Sequence, residues 1–134
     1  MFEMYFSQTI DTPQLCDAIA KHLFLRREDI GVVPLTLIDT LPTALVVEDI
    51  GGDFPFAVTI HTDLTWLQIS EVELAQKLST TLKTECLIAE DCENPYRWLH
   101  VCEKQTQSVL VDPHLFDGQS ILKISPDSPA RLFF

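Results

Sequence analysis

Two adjacent glycines, Gly51-Gly52, sit between two runs of alternating apolar residues, and nothing else constrains the fold as tightly. Residues 44–48 are rich in β-branched side chains. Residues 54–62 place Phe56, Val58 and Ile60 two apart, the period of a strand with one buried face. Paired glycines supply the positive φ of a tight turn, so 44–62 reads as a β-hairpin closed by Gly51-Gly52-Asp53. A chain that commits its centre to a hairpin needs other elements to cover the apolar face.

Two helices meet that need. Asp11-Thr12-Pro13 is a helix start, with an Asp or Thr cap and proline in the first turn. Leu15, Ile19 and Leu23 follow at four-residue spacing, which predicts a helix ending near Leu25. Arg26 and Arg27 then complement its C-terminal dipole. Ser70-Glu71-Val72-Glu73 is a capping box in which Ser70 caps and Glu73 reaches back; Leu74, Ala75, Leu78 and Leu82 form the buried stripe behind it.

Strands are expected at 2–9, around Leu35, Leu37 and Ile38, and at 86–89, 97–103 and 108–112, with a last one at 120–124. Residues 28–34 read as a loop, and Pro126 and Pro129 discourage a C-terminal helix. The order predicts one α+β domain over residues 1–134. Its antiparallel or mixed sheet carries two amphipathic helices, and the order suits a ferredoxin-like core with extra strands.

Charge narrows the function. Twenty acidic residues against nine basic ones give a net charge of −11. The acids are shared evenly, ten in residues 1–67 and ten in 68–134, so they form no acidic tail. Such a field repels nucleic acid and anionic membranes, and it attracts basic partners. No apolar run approaches the ~20 residues of a membrane span. The N-terminus lacks the basic and apolar regions of a secretory signal, so a cytoplasmic protein is expected. Cys16, Cys86, Cys92 and Cys102 contain no Cys-x-x-Cys pair. They read as small hydrophobes in a reducing compartment, with a disulfide or thiol site as the alternative.

No metal or cofactor motif is present, and neither is expected: the histidines His22, His61, His100 and His114 lack zinc-site spacing, and no phosphate-binding glycine loop occurs. His100 and Cys102 share one strand face, which makes a small Cys/His hydrolase conceivable. A packed thiol beside a half-exposed histidine accounts for the same residues, and a protein that is not an enzyme is the expectation.

Binding residues are expected at acidic turns beside aromatics. Glu48, Asp49 and Asp53 flank the glycine turn next to Phe54, and Glu90, Asp91 and Glu93 occupy the turn before Tyr96. Acids around an aromatic anchor suit a basic protein partner. Glu28 and Asp29 form a third, smaller cluster after the first helix.

Three segments carry a resemblance: Val47-Glu48-Asp49-Ile50-Gly51-Gly52-Asp53-Phe54, then Leu74-Ala75 to Leu82 with Leu87-Ile88-Ala89-Glu90-Asp91, then Pro95-Tyr96-Arg97-Trp98-Leu99. Over residues 44–112 this order of elements resembles the small acidic immunity proteins of contact-dependent inhibition and related polymorphic toxin systems. The resemblance implies a cytoplasmic protein that binds a toxin domain, often a cationic nuclease. Acidic side chains there stand in for nucleic-acid phosphates and cover the toxin's active site. A type III secretion chaperone, an acidic α+β homodimer, is the alternative of the same size. The oligomeric state stays open between them.

Overall fold

The computed structural model describes residues 1–63, 69–119 and 121–125. The chain runs β1 (Phe2–Phe6), α1 (Thr12–Leu23), β2 (Ile30–Val32), β3 (Thr43–Asp49), β4 (Phe56–Thr62), α2 (Glu71–Leu82), β5 (Cys86–Ala89), β6 (Arg97–Cys102), β7 (Gln105–Leu110) and α3 (Pro113–Gln119). All seven strands join one open sheet in the order β2-β3-β4-β1-β5-β6-β7.

The register explains this order. β4 is antiparallel to both β1 and β3, so β1 and β3 run the same way with β4 between them. β1 is antiparallel to β4 and β5, so β4 and β5 run the same way with β1 between them. Helix α1 lies between β1 and β3 in the chain, and α2 lies between β4 and β5. Two split β-α-β units are thus interleaved, the ferredoxin-like arrangement. Extra strands extend both edges. β2 pairs parallel to β3, and the β6–β7 hairpin continues from β5, so the sheet is mixed.

Both helices cover one face of the sheet. Leu15, Ile19 and Leu23 of α1 and Leu74 and Leu78 of α2 pack on Met4, Phe6, Leu45, Val58, Ile60 and Ile88. The Ser70 hydroxyl accepts from the Glu73 N–H at 3.1 Å, forming the serine half of the capping box. α1 ends at Leu23, with Phe24 in the left-handed region at φ 56° and its N–H bonded to the Ala20 carbonyl. Asp11 holds the cap position of α1 without a side-chain cap bond.

The opposite, outer face carries a second cluster. Leu87, Trp98, Val109 and Val111 pack there with Phe54 and Leu122, flanked by Tyr5, Tyr96, Phe116 and Ile124. The chain after β7 crosses this face, with Asp112 Oδ1 accepting from the N–H groups of His114 and Leu115 at the start of α3.

Four local expectations are corrected. Residues 28–34 contain a strand, β2, because Ile30 is buried and pairs with Thr43 across twelve intervening residues. Leu35–Thr40 forms 3-10 turns in place of a strand. Pro34 precedes these turns, Thr40 Oγ1 donates to the Leu37 carbonyl, and Leu35 and Leu37 are 64% and 47% exposed. β7 begins at Gln105 and ends at Leu110, and the helix α3 follows it. The strand expected at 120–124 reduces to single bridges at Leu122 and Ile124. Residue 120 itself, Pro126 and Pro129 lie outside the described residues.

Candidate functional site

The sheet register divides the eight expected binding residues into two groups. Asp49 pairs with Phe56, Phe56 with Phe6, and Phe6 with Cys86, so the glycine turn lies at this end of the sheet. The turn before β6 follows Ala89, three residues further along β5, where Ala89 pairs with Trp98. Glu48, Asp49, Asp53 and Phe54 are therefore at one end of the strands, and Glu90, Asp91, Glu93 and Tyr96 at the other.

Half of the second group, Glu90 and Tyr96, is engaged within the chain. Glu90 pairs with Arg97 Nε at 2.8 Å and accepts from the Ser108 hydroxyl at 2.9 Å. The Tyr96 hydroxyl donates to Asp117 at 2.6 Å, which raises its pKa, and its ring meets Phe116 edge-on. Asp91 and Glu93 are exposed. Phe54 departs from the expectation of an exposed anchor. It is 3% exposed, because the residues around Leu122 close over it as part of the second cluster.

The glycine-turn end gathers a more coherent surface. Gly51 and Gly52 have φ of 76° and 81°, as the turn requires, and the Ile50 N–H bonds to the Pro55 carbonyl to close the loop. A side chain at Gly52 would collide with Ile121. The loop folds over the outer face and places Phe54 edge-on to His100, with centroids 5.8 Å apart. His100 Nε2 lies 2.7 Å from Glu85 Oε1. One cross-strand row on this face reads Glu48, Ala57, Tyr5, Leu87, His100, Gln107. The Tyr5 hydroxyl is pushed up in pKa by burial first, then by the carboxylates of Glu3 and Glu48. Among the described residues, arginine ion pairs engage Asp17, Glu28, Asp29 and Glu90; Glu48, Asp49 and Asp53 belong to none of them, nor do Asp91 and Glu93 at the other end.

Glu85 and Gln107 were not among the expected site residues. Glu85 precedes a short strand, and Gln107 lies in a polar run, Gln105 to Ser108, without an apolar period. The alternation of Trp98, His100 and Cys102 was the one signal pointing to their neighbourhood. Glu85, His100, Cys102, Gln105 and Gln107 line a cavity of about 160 Å³.

All four cysteines are free. Cys16 and Cys86 are buried, Cys92 and Cys102 exposed. His100 and Cys102 do share a strand face, but the pair does not look activated. Burial first, then Glu85 and Glu103, raise the Cys102 pKa, whereas a nucleophilic thiol needs it lowered. His100 Nε2 is directed to Glu85. Among the described residues no three His, Cys, Asp or Glu side chains are grouped to hold a metal ion, and no helix is long and apolar enough to cross a membrane.

Comparison with protein-family models, with curated proteins and with solved structures found no match to this chain.

Proposed function

We propose that this chain is a protein-binding module that meets a basic partner with the glycine-turn end of its outer sheet face. In this reading the partner is a toxin domain, and the chain is the cytoplasmic immunity protein that neutralises it. The observation that carries the reading is the group of acids without ion pairs at this end, Glu48, Asp49 and Asp53, beside the Phe54–His100–Glu85 contact. The strand pairing and the closed turn fix the backbone that carries these carboxylates, so binding has only their side chains left to order. Their field steers a cationic surface into place and disfavours anionic competitors. A nuclease groove that accepts phosphates offers such a cationic surface, and carboxylates can occupy it without being cleaved.

The test is co-expression with the product of the gene immediately upstream. The wild-type chain is expected to restore growth and to purify with that product in a one-to-one complex. The triple variant Glu48→Lys, Asp49→Lys, Asp53→Lys is expected to fold, by circular dichroism, yet fail to protect. Full protection by the folded triple variant, or absence of any complex with the wild type, refutes the proposal.

A further inference from the structure

The helix-covered side of the sheet carries a basic pocket on an otherwise acidic molecule. Gln76, Lys77, Thr80 and Thr81 are spaced to share one face of α2. His22 from the last turn of α1 and Lys104 from the turn between β6 and β7 complete the wall of an open cavity of about 500 Å³. Two hydrogen bonds hold this wall together. His22 Nε2 lies 2.7 Å from the Thr81 hydroxyl, which joins α1 to α2. Gln76 Nε2 donates to Thr106 Oγ1 at 2.8 Å, which joins α2 to β7. Lys77 and Lys104 are exposed. Among the described residues no lysine belongs to an ion pair, although Glu73 lies one turn before Lys77 and Glu103 precedes Lys104. Their positive field reaches His22: after burial, Lys21 and Lys77 are what lower its pKa.

We propose that this pocket binds a small organic phosphate, a phosphate monoester carried on a compact apolar body. Two ammonium groups without partners match a dianion, whose terminal oxygens accept from both at once. A phosphate alone leaves most of the cavity unfilled, and its volume falls in the roughly 300–1,000 Å³ range of small-molecule sites. Most of the wall is apolar, built from threonine methyl groups and lysine stems, so the body that fills it is apolar too. The net charge of −11 opposes any anion at long range. Salt screens that field over about 8–10 Å, and within this distance the two lysines prevail. The same acidity keeps extended polyanions away, which leaves a small ligand. The pocket lies across the sheet from the glycine turn's outer face, and the proposal does not rest on the partner reading above.

The test uses the full chain and three probes: phenyl phosphate, inorganic phosphate and phenol. Amide NMR shifts are followed during titration at physiological ionic strength. Phenyl phosphate is expected to give saturable shifts centred on Lys77, Thr80, Thr81 and Lys104. Inorganic phosphate, which lacks the body, is expected to bind about tenfold more weakly, and phenol, which lacks the charge, to give no saturable shift. Lys77→Gln and Lys104→Gln remove no ion pair, so both are expected to fold as the wild type does, by circular dichroism. Each should weaken phenyl phosphate about threefold to tenfold. Lys123→Gln removes an exposed lysine outside the pocket and should leave the affinity unchanged. No saturable shift with phenyl phosphate, equal affinity for phenol or for inorganic phosphate, or unchanged affinity in the folded Lys77→Gln and Lys104→Gln proteins each overturns the proposal. A loss in Lys123→Gln as large as in Lys77→Gln also overturns it, because the attraction would then belong to the whole surface and not to this pocket.

Discussion

Phe54 and His100 meet edge to face, with ring centroids 5.8 Å apart and planes at 79°, although they belong to a turn and a strand separated in the sheet by β1 and β5. This contact ties the acidic glycine turn to the strand that carries His100. It also makes Phe54 a structural residue. Phe54→Ala is expected to cost about 3 kcal/mol, at the lower end for a buried phenylalanine. Urea denaturation measures it, and a loss below about 1 kcal/mol would show that the turn is not held by this ring.

Thiol reactivity should divide the cysteines. Cys86 is fully buried, and burial pushes its pKa far up; Cys16 is raised for the same leading reason. Both are expected to resist alkylation in the native protein, while the exposed Cys92 and Cys102 react. Glu85→Gln removes one of the charges that raise Cys102, so Cys102 should then alkylate faster at neutral pH. Mass spectrometry after timed labelling reads both effects. Fast, Glu85-dependent labelling of Cys102 in the wild type would restore the hydrolase alternative.

Acid should weaken the fold through His22. Burial first, then Lys21 and Lys77, lower its pKa below the usual 6.5, while its ring nitrogen lies 2.7 Å from the Thr81 hydroxyl. The unfolded chain therefore takes up the proton more readily than the folded one. The stability from neutral His22 is present above the unfolded pKa and is lost as pH falls through the lower folded value. His22→Gln is expected to flatten the change in urea midpoint between about pH 7.5 and about pH 5.5. An identical slope in the variant and the wild type contradicts this.

Removing the α2 cap should have a smaller, local effect. Ser70→Ala leaves the Glu73 N–H without its side-chain acceptor and is expected to cost about 1 kcal/mol. Hydrogen exchange should quicken in the first turn of α2 before it does elsewhere.

These outcomes follow the division between what was legible in the sequence and what was not. The α2 start, the glycine turn and the Phe56-Val58-Ile60 stripe were readable because each is a local signal, a cap or a period set within a few residues. The three-residue β2 was not, since Ile30–Val32 becomes a strand only by pairing with β3. Leu35 and Leu37 imitate strand alternation, yet they face solvent in 3-10 turns. Of the acids at the two ends, Asp53, Asp91 and Glu93 lie in turns, whereas Glu48 and Asp49 close strand β3. Their division between opposite ends of the sheet, and the burial of Phe54, depend on register and on the chain near Leu122. Neither leaves a mark on the sequence around the turns.

The most direct measurement is the association rate of this chain with the domain encoded immediately upstream, followed against ionic strength. Electrostatic steering by Glu48, Asp49 and Asp53 predicts a rate that falls steeply with added salt. It also predicts that the triple lysine variant associates about tenfold or more slowly, with a much smaller change in dissociation. A rate indifferent to salt and equal in the two proteins would contradict a basic partner bound at this end of the sheet.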